Sequence, residues 1–479
     1  MSRTRTMIAA GTTALTVVAG TVAAAASAGA TASPVQPGAS GRTGFTPGPA
    51  GLGDPYYPLA GNGGYDAGHY DLRLAYDPGS EVMSGSAVMR ARATQNLSRF
   101  DLDLSGLTVS SVKVDGRTAA FSRSGQELVV MPARGLRSGR TFSVVVRYAG
   151  VPAAVTDPDG STEGWVRTPD GAFVVGEPVG AMSWFPSNNA PSDKATYDLR
   201  MTVPKGVSVW GNGVLRWSGS SGGRTTYWWQ QRQRISTYLV TSTLGRFDRR
   251  TGRTRHGLPV YLAVDPVVKG TPWTTLQRTA EVTDWETGQF GPYPFSATGG
   301  VVDDAATLGY SLETATKPMY DRAPDLPTVV HELGHQWFGD SVTPRIWRDI
   351  WLNEGFATYV QWLWAERHGG PTAAAELTRQ LGLHPASDPF WTTPPANPGS
   401  AAKIFDMAVY QRGAMALEAL RQRIGDRAFA RLLRTWAAEH RYGVVSTADF
   451  LRCAEHVSGR QLDGFFDVWL YQPRRPAGV

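Results

Sequence analysis

The stretch His331-Glu332-Leu333-Gly334-His335 carries the residue types of a metal-dependent hydrolase. On a helix, positions i and i+4 share a face, so both imidazoles reach one ion. Glu332 points to the space beside that ion, where a water would sit. This H-E-x-x-H spacing is that of metalloproteases, in which the glutamate is the general base. After eighteen intervening residues comes Glu354, in Trp351-Leu352-Asn353-Glu354-Gly355-Phe356-Ala357. Its carboxylate completes a His331, His335, Glu354 set for one catalytic zinc ion whose fourth position stays open. A structural zinc is usually closed by four ligands and rich in cysteine. The chain has a single cysteine, Cys453, which argues against that kind of site.

Two helices must carry these groups, and the rest of the chain must hold them together. A length of 479 residues is too much for one ordinary core, so two domains are expected. With 42% hydrophobic and 18% charged residues, the composition is that of a soluble globular protein. Sixteen tryptophans point to aromatic-rich sheet faces or a lined cleft, core being the commoner use.

The N-terminus reads as an export signal over residues 1–32. Arg3 and Arg5 form a basic start, and a small-residue apolar run extends from Met7 to about Ala26. Ala26-Ser27-Ala28 and Ala30-Thr31-Ala32 both fit a cleavage site. A secreted protein without stable membrane insertion is the expectation, since no other stretch is long and apolar enough to span a bilayer. Residues 33–53, rich in Pro, Gly, Ser and Thr, read as a flexible lead-in. The formal net charge of +6 is mild for this length, and removal of Arg3 and Arg5 lowers it further. Nucleic acid is therefore not an expected partner. The densest basic stretch, Arg246 to Arg255, lacks interleaved aromatics and reads as a solvated linker or hairpin face. Cys453 has no partner for a disulfide and sits in a helical pattern, as a small buried hydrophobe would.

Residues 54–250 form a β-rich domain. Tyr70-Asp71-Leu72-Arg73-Leu74, Phe142–Tyr148 and Tyr197–Val203 alternate with period two between turn signals such as Asp115-Gly116 and Asp170-Gly171. An antiparallel sandwich is the expected class. Residues 251–479 turn to helical spacing. Helices are expected over Thr274–Gln289, Leu326–Phe338, Leu352–Arg367, Met407–Ile424 and Arg427–His440. Ser446-Thr447-Ala448-Asp449 resembles a capping box with Asp in place of Glu.

Taken in order along the mature chain, these motifs resemble the aminopeptidase N family of zinc peptidases. Val330–Gly339 is similar to the family's zinc helix, and Trp351–Ala357 to its second ligand helix. The resemblance implies a β-rich N-terminal domain followed by a thermolysin-like, mainly helical catalytic domain. It implies hydrolysis of the N-terminal bond of peptides with a free amino terminus. Tyr410, in Val409-Tyr410-Gln411-Arg412-Gly413-Ala414, matches the tyrosine that donates to the tetrahedral intermediate. Glu313, in Gly309-Tyr310-Ser311-Leu312-Glu313-Thr314, resembles the motif that binds the substrate amine, with the glycine displaced and Asn replaced by Thr. Glu177 matches the position from which the N-terminal domain adds a Gln or Glu; an ordinary surface glutamate is the plain alternative. Two carboxylates at one site favour a cationic amine over an internal amide. Asp349 and Asn353 are candidate partners for the ligand histidines. Relatives usually carry a further C-terminal helical domain over the cleft, and here the expectation is a short form without it. The competing expectations are a zinc endopeptidase on the same scaffold and a non-catalytic peptide- or surface-binding protein. Cleavage of N-terminally blocked peptides distinguishes the first, and retention on cell wall by residues 54–250 alone the second. The sequence does not give the N-terminal side-chain preference.

Overall fold

The computed structural model describes residues 44–476. The expected export signal and the start of the lead-in lie outside the described residues. The last ten residues of the lead-in are not loose. Thr46–Pro47 pairs in parallel with strand Leu97–Asp103, and the Gly48 amide donates to the Arg99 carbonyl at 2.8 Å. A segment poor in large side chains is held here by backbone bonds to a sheet edge.

Period-two patterning becomes sheet as expected. Strand Tyr65–Asp77 buries Tyr65, Ala67, Tyr70, Leu72, Leu74 and Tyr76. A bulge between Ala67 and His69 restores the inward phase. This strand lies near the middle of an eight-stranded sheet that is antiparallel except where it meets Lys194–Pro204 in parallel. A four-stranded sheet packs on one part of its buried face through Tyr65, Phe100 and Phe142. A five-stranded sheet packs on another through Tyr76 and Trp165. Asp115 and Gly116 both adopt positive φ between paired residues Val114 and Arg117, which matches the twist of a two-residue hairpin.

Strand Asp248–Arg253 straddles the expected domain boundary and belongs to the second domain's sheet, paired with Pro259–Val264. Every residue of this basic strand is exposed, so the Arg246–Arg255 stretch is a hairpin face. The second domain keeps a five-stranded sheet beside its helices, with Pro259–Val264, Thr298–Val302 and Met319–Tyr320 parallel at its centre. The expected helix over Thr274–Gln289 is two helices, Pro272–Leu276 and Thr279–Phe290. The Thr279 hydroxyl donates to the Leu276 carbonyl at the junction (2.7 Å). Met407–Ile424 has the expected bounds, and Ser446 and Asp449 make both bonds of a capping box. Among the described residues, no helix is long and apolar enough to cross a membrane. Buried tryptophans such as Trp165, Trp184, Trp351 and Trp436 are core.

Two ties lock the first domain to the second near the H-E-x-x-H helix. Asp54 accepts from the Trp347 amide at 2.7 Å, just ahead of the Glu354 helix. Buried Lys194 donates to the carbonyls of Asp340 and Ser341 and to the Thr343 hydroxyl (2.7–3.0 Å). An apolar sheet face thus delivers polar groups that clamp the segment following His335.

Candidate active site

Helix Leu326–Gly334 starts under Asp325, whose side chain accepts from the Thr328 amide. It is shorter than the sequence pattern suggests, because the chain tightens after Gly334 and turns at Gly339 (φ +131°). His335 caps the helix and keeps helical geometry, and its amide still bonds to the His331 carbonyl. The i, i+4 pairing therefore survives, with the imidazole centroids 4.7 Å apart. A Cβ at Gly339 would stand 3.2 Å from both His335 Nδ1 and the Asn353 side chain, so the turn must be glycine.

Glu354 comes from helix Trp351–Arg367. Its Oε2 lies 3.1 Å from His331 Nε2 and 3.4 Å from His335 Nε2. Burial alone would raise its pKa, but the His335 charge and bonds from both imidazoles hold it down to about 2. Burial opposes charge on His335, yet Glu313 and Glu354 raise its pKa well above the usual imidazole range. The Phe338 carbonyl, 3.1 Å from His335 Nδ1, accepts the ring N–H and so leaves Nε2 as the ligating atom. Neither side chain considered for that task performs it. Asp349 accepts from the Thr447 hydroxyl, and Asn353 donates to the Tyr238 hydroxyl. A main-chain carbonyl at the turn gets there first, because the turn folds back over the ring.

His331, His335 and Glu354 each offer a ligand atom within 4.8 Å of the others. Two further groups of equal compactness overlap this one, Glu313–Glu332–His335 and Glu177–Glu313–Glu354. The structure thus brings every expected site residue except Tyr410 into one compact cluster, and Tyr410 flanks it. The Tyr410 ring lies 6.1 Å from the His331 ring, nearly parallel to it. All seven line one cavity of about 430 Å³. Glu177 is buried (6% exposed), so the surface-glutamate alternative does not hold.

The electrostatics call for positive charge. Glu177 Oε1 and Glu313 Oε1 are buried without a hydrogen-bond partner. Burial and the neighbouring Glu313 and Glu354 push Glu177 well above the usual carboxylate range. Burial raises Glu313 to about 7 against the opposing pull of His335. Burial likewise raises Glu332, with His335 opposing. Burial also raises the Tyr410 phenol well above its usual value, which keeps it a neutral donor. Four carboxylates around two imidazoles are unfavourable alone. A divalent cation held by two nitrogens and one oxygen suits this donor set, and zinc is the ion such a set selects.

Two glycines explain how the Glu354 and Tyr410 helices come close enough. A Cβ on Gly413 would lie 2.8 Å from Gly355 Cα, and one on Gly355 would lie 2.9 Å from Gly413 Cα. The two helices touch backbone to backbone one residue after Glu354 and three after Tyr410. Neither glycine stands out in the sequence except as a helix breaker placed mid-helix. Gly413→Val is expected to destabilise by about 1–3 kcal/mol through overpacking. It should also lower kcat/KM by up to about 10²-fold, because misplacement on the order of 1 Å suffices for that. Thermal melting and steady-state kinetics together check this, and wild-type behaviour in both would show that the contact does not set the site.

Two family descriptions match the chain: a Peptidase M1 N-terminal domain over residues 67–239 and a Peptidase family M1 domain over residues 309–469. Among solved structures, an M1 zinc metallopeptidase from Deinococcus radiodurans superposes with a TM-score of 0.82 at 31% identity. That likeness covers 90% of this chain and 100% of the other. A mutant of the Deinococcus enzyme bound to a Tyr-Ser-Ala substrate gives 0.80 at 32% identity, covering 88% and 97%. "Probable aminopeptidase 1" of Sulfurisphaera tokodaii is 24% identical over 79% of this chain and 50% of its own length. Bovine glutamyl aminopeptidase is 26% identical over 85% of this chain and 46% of its own. The chain thus spans about half the length of these curated relatives.

Proposed function

Since the chain belongs to the M1 family of zinc metallopeptidases, we propose that it is an aminopeptidase that hydrolyses the N-terminal peptide bond of peptides with a free α-amine. One observation carries this reading. Glu177 and Glu313 present unpartnered, buried carboxylate oxygens beside the His331–His335–Glu354 set. An α-ammonium group would satisfy both, whereas a neutral internal amide would leave them unpaired.

His331, His335 and Glu354 would hold zinc, which supplies Lewis acidity toward a carbonyl oxygen and toward water. Glu332 accepts the proton of the attacking water and delivers it to the leaving amine. Tyr410 donates its phenolic proton in a hydrogen bond to the oxyanion as charge develops. Glu313 and Glu177 fix the amino terminus, so only the first peptide bond meets the reacting groups.

The test compares an aminoacyl-arylamide with its N-acetylated counterpart, each with and without a chelator. We expect chelator-sensitive cleavage of the free-amine substrate and none of the blocked one. Equal cleavage of both would favour an endopeptidase, and cleavage of neither a binding protein. We also propose that the enzyme acts outside the cell, on the strength of the pattern in residues 1–32. Material recovered from culture medium should then begin after Ala28 or Ala32, and an intact Met1 there would refute it.

A further inference from the structure

The active-site cavity contains a carboxylate that none of these roles uses. Its lining has five acids, Asp159, Glu177, Glu313, Glu332 and Glu354, and no lysine or arginine. Four of the five have tasks above. Asp159 sits in the turn before strand Thr162–Thr168, and its Oδ1 accepts from the amide and hydroxyl of Ser161 (2.8 and 2.6 Å). Both bonds use the same oxygen, and Asp159 is among the residues that line the cavity.

Strand register shows which part of a substrate would meet Asp159. Gly164 pairs with Val175 in an antiparallel ladder. The chain leaving Val175 toward Glu177 therefore runs beside the chain arriving from Ser161 and Thr162. From the other domain, the Tyr310 hydroxyl donates to the Thr162 carbonyl at 2.7 Å, three residues before Glu313. The two segments that carry the amine-binding carboxylates thus meet at the Asp159 turn. A substrate's first side chain leaves the same Cα as its amine, so it shares the cavity that Asp159 lines.

The exposed acid of this wall is Asp159. Behind it, Asp157 and Glu163 are buried, and burial raises both above the usual carboxylate range, so Asp159 is the acid of this wall that presents charge to a ligand. Tyr310, Phe405 and Met407 supply apolar and aromatic surface along the same cavity. An aliphatic stem ending in a cation matches such a lining.

Resting on the aminopeptidase reading, we propose that Asp159 selects a basic side chain, lysine or arginine, on the N-terminal residue of the substrate. The experiment measures kcat/KM for arginyl-, lysyl-, leucyl- and glutamyl-arylamides with wild type, Asp159→Asn and Asp159→Lys. Wild type is expected to favour the basic substrates over leucyl by about tenfold or more, mostly through KM. Asp159→Asn should lower the arginyl-to-leucyl ratio by about tenfold, and Asp159→Lys should lower it further while raising the glutamyl-to-leucyl ratio. A wild-type ratio at or below one, or a ratio that neither variant moves, would overturn the assignment to Asp159 alone. Failure to cleave any free-amine arylamide would overturn the aminopeptidase reading and this proposal with it.

Discussion

Exchange of Glu332 for glutamine is expected to lower kcat by about 10³-fold or more while the protein keeps its zinc and its fold. The amide has nearly the volume of the carboxyl group, so the helix packing around it is undisturbed. It cannot accept a proton, so water attack loses its base and the leaving amine its acid. Glu332 is not part of the group that joins both imidazoles, His331–His335–Glu354, so metal content should not follow activity. The loss should fall on kcat, because the proposed contacts to the substrate amine are those of Glu313 and Glu177 and not of Glu332. Metal analysis beside steady-state kinetics reads both quantities. Substantial turnover by a zinc-loaded Glu332→Gln protein would remove the proton-transfer role and require another group to perform it.

His335→Ala should be the more damaging change, since it removes one of the three metal-binding side chains outright. His335 is the residue through which Glu313, Glu332 and Glu354 are balanced, and its charge is among the influences on each of them. Without it, these buried acids face one another with only His331 left to offset them. Loss of a ligand outright should weaken zinc binding by more than the about 10–100-fold typical of losing a ligand's hydrogen-bond partner. Activity should fall below detection and not return with added metal. Thermal melting provides an independent readout. Wild type should gain stability with free zinc, by about 2.7 kcal/mol at a hundredfold excess over Kd. His335→Ala should show no such gain. Retention of zinc by the purified variant at wild-type content would place the metal elsewhere.

The amino-acid sequence alone determined the two helices that carry His331, His335 and Glu354, and it singled out these three residues and Glu332 as the candidate metal ligands and general base. It also determined the alternation of the β-rich domain and most helix bounds. These share one physical cause: helix and strand periodicities act over a few residues, so spacing along the chain becomes direction in space. His331 and His335 face one ion because four residues make about one turn. The tertiary structure decided what depends on packing between distant segments. It buried Glu177 from one domain beside Glu313 of the other, and it paired Tyr65–Asp77 in parallel with Lys194–Pro204. It gave the His335 ring to the Phe338 carbonyl and turned Asp349 and Asn353 to Thr447 and Tyr238. It pressed Gly355 onto Gly413 and set Asp159 into the cavity wall. Such neighbours leave no trace in local spacing. Only the closing of long loops and the fit of apolar faces brings them together.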